Sequence, residues 1–245
     1  MKGVVLAAGE GTRLRPLTLD RPKPMVEVAG KPVIGHIIHW LRLWGIREIA
    51  VNLHYRPQAI TGYLADGAQF GVHVTYSFEN PILGSAGALK KLEHFFDQTF
   101  IVAYGDVLTD ASLGRLLAFH RSRRAAVTAL LYRVANPTQC GIADLDAEGR
   151  LRRLVEKPRL EEVFGDLANA GVLVMERQII ATVPERRFYD IGADLLPDLI
   201  ARGLAVYGLP IEDGDTVIDI GSQERYALAC REWPAIAERM AAQSC

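Results

Sequence analysis

Two short segments near the start of the chain carry residues suited to binding phosphate groups. An apolar run that begins at Val4 ends in Gly9-Glu10-Gly11-Thr12-Arg13, and ten residues after Arg13 the side chain of Lys23 stands between two prolines. Glycine lets backbone N–H groups approach an anion closely, and a strand that leads into such a turn forms a natural phosphate cradle. A purely structural glycine turn would look the same. The prediction therefore depends on the combination of the turn with Arg13 and Lys23.

Acidic residues follow two further apolar runs. Asp106 closes the run 99–106, and Asp219 closes the run 216–219. For Asp106, the position just past a buried strand, at the edge where ligands bind, suits a ligand of Mg²⁺. The alternative for Asp106 is a helix cap or turn aspartate.

Two other classes of nucleotide-binding protein are disfavoured by missing motifs. The four-residue spacing between Gly and Gly-Lys-Ser/Thr of a Walker A loop is absent. A dinucleotide-binding fold needs an acidic residue near the end of the second strand, and the predicted strand 48–53 ends without one.

The glycine turn and Pro-Lys-Pro at this spacing resemble the signature of the sugar-1-phosphate nucleotidylyltransferases, also called NDP-sugar pyrophosphorylases. Within this family, the motifs are most similar to those of the mannose-1-phosphate guanylyltransferases. The motifs concerned are Pro-Lys-Pro-Met-Val, Leu-Gly-Ser-Ala-Gly at 83–87 and Asn-Ala-Gly at 169–171. The resemblance implies transfer of a nucleotidyl group from a nucleoside triphosphate to a sugar 1-phosphate, with release of pyrophosphate and with Mg²⁺ as cofactor.

The resemblance also implies roles for individual residues. Arg13 and Lys23 are the predicted catalytic residues, and Asp106 and Asp219 are the predicted metal ligands. The predicted nucleotide-binding residues are Leu6, Ala7, Ala8, Gly9, Gly11, Thr12, Arg13, Lys23, Glu79, Gly84 and Asp106.

The family's base-binding segment corresponds to residues 79–88, where the resemblance pairs Glu79 with the backbone of Gly84. A carboxylate only accepts hydrogen bonds, and guanine offers two adjacent donors on one edge. We therefore predict a preference for GTP. A uridylyl- or thymidylyltransferase stays open as an alternative, and a glycine-containing helix start is the purely structural interpretation of 84–88.

A second group of residues resembles the family's sugar-phosphate site. A predicted hairpin ends in Glu156-Lys157-Pro158, where the resemblance puts the lysine on the phosphate and the glutamate on sugar hydroxyls. Gly141 and Asn169, the latter just before a strand at 172–175, match the family's other sugar contacts. Mannose 1-phosphate or a related hexose or heptose phosphate is the expected substrate, with another sugar or a cyclitol 1-phosphate as the alternative.

The alternation of predicted strands and helices positions these residues. It implies a largely parallel sheet with helices on both faces, in which ligands bind at the carboxyl ends of the strands. The predicted fold class is α/β, a Rossmann-like three-layer sandwich with a mixed, mostly parallel central sheet. We predict one domain over 1–245, with a nucleotide-binding half at 1–110, a sugar-phosphate half at 111–225 and a helical tail at 226–245.

Several local expectations accompany this fold. A helix from Val33 buries a stripe that includes Trp44, and it leaves His36 and His39 at the surface. Asp110 is predicted to cap a helix that begins near residue 111, and Asp190 to cap another. The end of the chain is predicted to form helices over 222–230 and 234–242.

Composition limits the remaining possibilities. The chain has 245 residues, 49% of them hydrophobic, and a net charge of −1, which favours neither a nucleic-acid nor a membrane partner. Three cysteines, the last of them Cys245, show no disulfide or metal spacing, and this is typical of a reducing cytoplasm. The early first strand leaves no room for a signal peptide, and the chain stops too soon for a β-helix or acyltransferase domain. A homodimer or higher homo-oligomer is expected, and a non-catalytic nucleotide-sugar-sensing subunit is the alternative from another class.

Overall fold

The computed structural model describes residues 1–242. Cys245 lies outside these residues. The strands are β1 (Lys2–Leu6), β2 (Glu27–Val28), β3 (Lys31–Pro32), β4 (Glu48–Leu53), β5 (His73–Phe78), β6 (Phe100–Tyr104), β7 (Val107–Thr109), β8 (Val127–Arg133), β9 (Gly141–Leu145), β10 (Leu151–Glu156), β11 (Leu167–Met175), β12 (Val206–Pro210) and β13 (Val217–Asp219). The α-helices are α1 (Val33–Leu43), α2 (Pro57–Leu64), α3 (Gly84–Lys91), α4 (Leu113–Ser122), α5 (Leu196–Ala201) and α6 (Gln223–Ala242).

The density of contacts divides the chain into two compact units, each of which is discontinuous in sequence. The first unit contains residues 1–82, 103–111 and, among the described residues, 214–242. The second contains Leu83–Val102 and Ser112–Asp213.

The first unit is built on three parallel strands. β4 pairs with β1 on one side and with β5 on the other, and Asn52 aligns with Leu6 and Ser77. Short antiparallel pairs join β7 to β13 and β2 to β3. Val4 of β1 and Val51 of β4 are fully buried, and burial on both faces explains why these two strands lack a polar alternation.

The second unit has mainly antiparallel pairing. β9 pairs with β10 and β11, and β11 pairs with β8, whereas β8 and β12 are parallel. A register shift between Asn169 and Leu173 interrupts the β8–β11 ladder, and Gly171 there has a φ of +69°. Such a φ is readily adopted only by glycine, so the irregularity is encoded in the sequence.

The predicted α/β class, with a mixed, mostly parallel sheet flanked by helices, is confirmed. Most predicted strands match the observed ones to within two residues. The strand at 172–175 is longer than predicted, since β11 begins at Leu167 and therefore includes Asn169.

Two predictions for α1 were wrong. His36 is only 7% exposed, with a ring nitrogen 2.8 Å from the Val28 carbonyl oxygen and its ring edge against Trp233. Burial lowers the pKa of His36, which favours the neutral ring that donates to this carbonyl. Trp44 is 40% exposed because it lies just past the end of the helix, and Trp40 is buried in its place.

The predicted cap of α4 was also wrong. Ser112 is the N-cap, and its hydroxyl oxygen accepts a hydrogen bond from the Arg115 N–H at 3.2 Å. Asp110 instead accepts from the Thr216 N–H at 2.7 Å and pairs with Arg239. Asp190 does cap the helical segment that follows it, as predicted, by accepting from the N–H groups of Gly192 and Ala193.

The C-terminal segment forms one helix rather than two. α6 continues through Pro234 from Gln223 to Ala242. Trp233, Ile236 and Met240 are buried around and beyond the proline, so packing outweighs the loss of one backbone hydrogen bond. Among residues 1–242, no helix has the length and apolar character needed to cross a membrane.

Candidate active site

The glycine turn and the Pro-Lys-Pro segment lie against each other in the first unit. Gly11 has a φ of +67°, and a Cβ there would come within 2.9 Å of the Lys23 Cβ. The Thr18 hydroxyl donates to the Gly11 carbonyl at 2.8 Å and holds the turn. Glycine is therefore required at 11 both for its backbone conformation and for the close approach of Lys23.

Lys23 reaches the predicted metal ligand Asp106. Its Nζ donates to the Asp106 Oδ2, and Lys23 is only 8% exposed. The Gly105 N–H donates to the Leu6 carbonyl at 2.8 Å, which ties the turn containing Asp106 to the end of β1. A predicted phosphate ligand and a predicted metal ligand thus form one ion pair, although 83 residues separate them.

Asp219 is joined to the same turn through the backbone. It aligns with Val107 in the β7–β13 ladder, and the next N–H, that of Ile220, donates to the Asp106 carbonyl at 2.9 Å. The Asp219 Oδ1 accepts from the Gly221 N–H at 2.8 Å. A Cβ on Gly221 would touch this oxygen and lie 3.6 Å from the Arg13 Nη2, so the Arg13 guanidinium is close to Asp219.

The two aspartates suit Mg²⁺ as it binds in phosphate-transfer sites. Mg²⁺ is often held by one or two carboxylates together with substrate phosphates, rather than by a complete protein cage. Among residues 1–242, no group of three or more His, Cys, Asp or Glu side chains is placed to hold a metal ion by itself. Asp106 immediately precedes Val107, the ladder partner of Asp219, and two carboxylates on neighbouring backbone segments fit such a shared site.

Arg225 was not predicted from the sequence. It lies in the first turns of α6, and its Nε is 3.3 Å from the Asp219 Oδ2. Its position four residues after Gly221 carries no motif that would have identified it. Both predicted metal ligands are therefore paired with cations of the chain itself.

Asn52 was also missed, and it links two predicted nucleotide contacts. Its Oδ1 accepts from the Ala7 N–H at 2.7 Å, and its Nδ2 donates to the Glu79 Oε1 at 2.7 Å. Asn52 and Glu79 are 3% and 4% exposed. The signal in the sequence was a single polar residue within the apolar run Ile49–Leu53.

The remaining nucleotide-binding candidates belong to the turn or to the second unit. Ala8 and Gly9 lie between the end of β1 and the short helix at Thr12–Leu14, which Thr12 begins. Gly84 begins α3 in the second unit with a φ of +76°, and a Cβ there would be 2.6 Å from the Tyr189 carbonyl oxygen. The segment 84–88 is thus the first turn of a helix, which was the structural interpretation.

Three of the four sugar-phosphate candidates lie on the β9–β10 hairpin of the second unit or directly after it, and Asn169 lies on β11. Gly141 pairs with Glu156, and a Cβ on Gly141 would lie 2.5 Å from the Glu156 Oε2. The Lys157 Nζ is 3.3 Å from the Glu156 Oε1, and the Lys157 side chain is 54% exposed. Asn169 lies on β11 next to Ala168, which pairs with Ile142 of β9. Its Oδ1 accepts from the Gly171 N–H at 3.0 Å.

A cavity of about 500 Å³ lies elsewhere in the first unit. It is bordered by Trp40, Trp44, Asp110 and Arg239 among others, and none of the predicted site residues lines it.

The family follows from a comparison with known proteins. A model of the family described as nucleotidyl transferase matches residues 2–232. The chain belongs to the nucleotidyl transferase family. The resemblance found in the motifs is thereby confirmed at the level of the family.

Individual relatives in this nucleotidyl transferase family carry different names. The chain is 37% identical over 245 residues to a UTP–glucose-1-phosphate uridylyltransferase of Synechocystis sp., covering 94% of this chain and 63% of the relative. It is 36% identical over 225 residues to a mannose-1-phosphate guanylyltransferase of Mycobacterium tuberculosis, covering 91% and 62%. The chain thus spans about three fifths of the length of these curated relatives.

A solved structure supports the fold. A putative glucose-1-phosphate thymidylyltransferase from Bacillus anthracis, in complex with a sucrose, superimposes with a TM-score of 0.85 at 24% identity. The match covers 97% of this chain and 95% of that one. The nucleotidyl transferase fold is therefore shared across the described core.

Proposed function

We propose that this protein transfers a nucleotidyl group from a nucleoside triphosphate to a sugar 1-phosphate and releases pyrophosphate. The observation that carries the proposal is the contact of Lys23 with Asp106, next to Asp219 and Arg13. Membership of the nucleotidyl transferase family supports the same reaction.

The reaction is an in-line displacement at phosphorus. An oxygen of the sugar phosphate forms a bond to the α-phosphorus, and the bond from that phosphorus to the bridging oxygen of pyrophosphate breaks. The leaving pyrophosphate takes the electron pair of this bond. The attacking phosphate is already anionic at neutral pH, so a general base is not required, and catalysis consists of positioning and charge stabilisation.

Each candidate residue then has a defined task. The N–H groups of residues 9–12 hold the triphosphate, and the fork of Arg13 binds its β- and γ-phosphates. Lys23 neutralises the α-phosphate. Asp106 and Asp219 would hold Mg²⁺, which neutralises phosphate charge when bound.

The residues of the second unit are assigned to the other substrate. Lys157 binds the phosphate group of the sugar phosphate. Glu156 and Asn169 bind sugar hydroxyls, and the backbone of Gly141 also contacts the sugar.

We propose GTP as the favoured nucleotide and mannose 1-phosphate, or a related hexose or heptose phosphate, as the acceptor. Glu79 supports the choice of base because its carboxylate accepts a hydrogen bond from Asn52 and can accept from the two donors of guanine. The guanylyltransferase relative supports both choices. A second candidate, uridylyl transfer to glucose 1-phosphate, is favoured by the Synechocystis relative.

A matrix of nucleoside triphosphates against sugar 1-phosphates, read by pyrophosphate release, tests these proposals. We expect the highest kcat/KM with GTP and mannose 1-phosphate. A preference for UTP or dTTP would contradict the guanine assignment but not the reaction. If no pair releases pyrophosphate while nucleotide sugars still bind, the protein is a sensing subunit rather than an enzyme. We also expect a cytoplasmic homo-oligomer, which fractionation and light scattering would test.

A further inference from the structure

Asn52 is a buried amide whose surroundings are otherwise those of a sheet core. It lies on the central one of three parallel strands, aligned with Leu6 and Ser77, and it is 3% exposed. A buried polar side chain destabilises the fold unless its hydrogen bonds are made. Asn52 satisfies this condition by bonding to groups on two different segments.

The two partners determine the orientation of the amide. The Ala7 N–H can only donate, so the Asn52 oxygen faces it at 2.7 Å. The amino group therefore points to the Glu79 carboxylate, 2.7 Å away. The arrangement requires a side chain that accepts on one side and donates on the other.

This orientation has a chemical consequence for Glu79. The hydrogen bond from the amide restricts rotation of the buried carboxyl group. The same amide holds Ala7, at the beginning of the glycine turn. Asn52 thus ties the predicted base contact to the predicted phosphate turn across 27 and 45 residues of sequence.

We propose that Asn52 is a positioning residue for base selection, which holds the Glu79 carboxylate as a hydrogen-bond acceptor in register with the glycine turn. The inference rests on the proposed function, in which Glu79 accepts from guanine. Asn52 itself lies outside the proposed nucleotide contact, and its task is to keep the Glu79 carboxylate in one orientation.

The proposal is tested by measuring the preference of the variant Asn52→Asp for GTP over UTP at two pH values. When protonated, the aspartic acid reproduces the amide, because its O–H donates to Glu79 and its other oxygen accepts from Ala7. When deprotonated, it faces Glu79 as a second carboxylate at hydrogen-bond distance, and this repulsion displaces Glu79. We therefore expect near wild-type preference for GTP over UTP at about pH 6 and a loss of about 10-fold or more at about pH 8.5.

Two comparisons isolate this effect. The wild-type protein is measured at the same pH values, since His54 has a ring nitrogen 2.9 Å from the Glu79 carbonyl oxygen and contributes to any common pH dependence. Asn136→Asp introduces the same charge at an exposed position of the second unit, and we expect its base preference to follow the wild type.

A double variant keeps the test valid if Asn52→Asp unfolds at high pH. Asn52→Asp with Glu79→Gln reverses the donor and the acceptor, so the hydrogen bond is retained without two facing carboxylates. We expect this protein to be folded at both pH values, as judged by thermal unfolding, and to have lost the GTP preference at both.

Three results would overturn the inference. They are a folded Asn52→Asp that keeps the wild-type ratio at about pH 8.5, a folded double variant that keeps it, and a wild-type protein that does not prefer GTP. Each can occur while pyrophosphate release persists, so they differ from failure of the proposed reaction. If no pair of substrates releases pyrophosphate, calorimetric binding of GTP and UTP to the same variants gives the ratio instead.

Discussion

The two units of the chain hold their candidate charged residues in different ways. In the first unit, Lys23 and Asp106 neutralise each other in a mostly buried pair, and Asp219 is paired with Arg225. In the second unit, Lys157 is paired with the residue before it, Glu156, and more than half of the Lys157 side chain is exposed. The difference indicates that the first unit is preorganised before a ligand binds, whereas the second retains side-chain freedom.

Strand pairing accounts for much of this difference. In the first unit, the β7–β13 ladder and the bond from the Gly105 N–H to the Leu6 carbonyl join segments that are far apart in sequence. In the hairpin of the second unit, Gly141 and Glu156 are partners because the chain simply turns back. Preorganised charges stabilise a transition state without reorganisation, so the first unit should govern the rate and the second should govern binding of the acceptor.

The largest effect is expected for Lys23→Ala, which removes the cation assigned to the α-phosphate. We predict that kcat falls by about 10²-fold or more, because this charge acts on the group undergoing displacement. Steady-state pyrophosphate release measures it, with Lys31→Ala as a control at an exposed lysine of the same unit. Near-normal turnover in a folded Lys23→Ala protein would show that the site is misassigned.

Asp219→Asn is expected to rank next. The substitution removes one of the two carboxylates assigned to the metal ion. Mutation of a residue that merely supports a metal ligand typically lowers activity by roughly 10- to 100-fold, so we expect a loss of at least this size. Activity measured against Mg²⁺ concentration should recover in part at high Mg²⁺. An unchanged Mg²⁺ dependence would argue that Asp219 does not bind the ion.

Lys157→Ala sharpens the contrast between the units. Loss of an exposed phosphate contact should raise KM for the sugar phosphate by about 10-fold, while kcat changes little, since a charged hydrogen bond contributes roughly 1.5–3 kcal/mol. Arg152→Ala removes an exposed cation from the same hairpin and serves as the control. A fall in kcat as large as that of Lys23→Ala would break the comparison.

The smallest expected effect is a dependence of folding stability on pH, and we expect it to arise in both units. Burial lowers the pKa of His36 in the first unit and of His120 in the second below the ordinary value of 6.5. As the pH falls below about 6.5, the unfolded chain binds protons that the folded chain does not, so stability decreases.

We therefore expect a lower Tm at about pH 5.5 than at about pH 7.5, and a flatter dependence in His36→Gln and His120→Gln. Thermal unfolding followed by circular dichroism measures this slope. A wild-type Tm that is equal at both pH values would contradict the prediction.

The local patterns that were correctly interpreted are those in which neighbouring residues determine the outcome. The apolar runs predicted the strands, and Asp190 was recognised as a cap from its position before a helix. The errors arose where distant contacts decide. His36 is buried because Val28 and Trp233 cover it, and Asp110 bonds to Thr216 instead of capping α4.

The candidate site divides in the same way. Glycine spacing and flanking prolines sufficed to single out the phosphate turn and Lys23, since these motifs are local. Asn52 and Arg225 could not be found from local patterns, because a lone amide in an apolar strand and an arginine in a helix are ordinary in themselves.

The sequence by itself determined the fold class, the family and the identities of the charged residues, because apolar periodicity and short motifs act over a few neighbouring positions. Only the tertiary structure decided which charges meet. The register of β1, β4 and β5 places Asn52 beside Ala7 and Glu79, and the β7–β13 ladder places Asp219 beside the turn that holds Asp106. Such partnerships depend on strand alignment across many tens of residues, which single-chain periodicity does not encode.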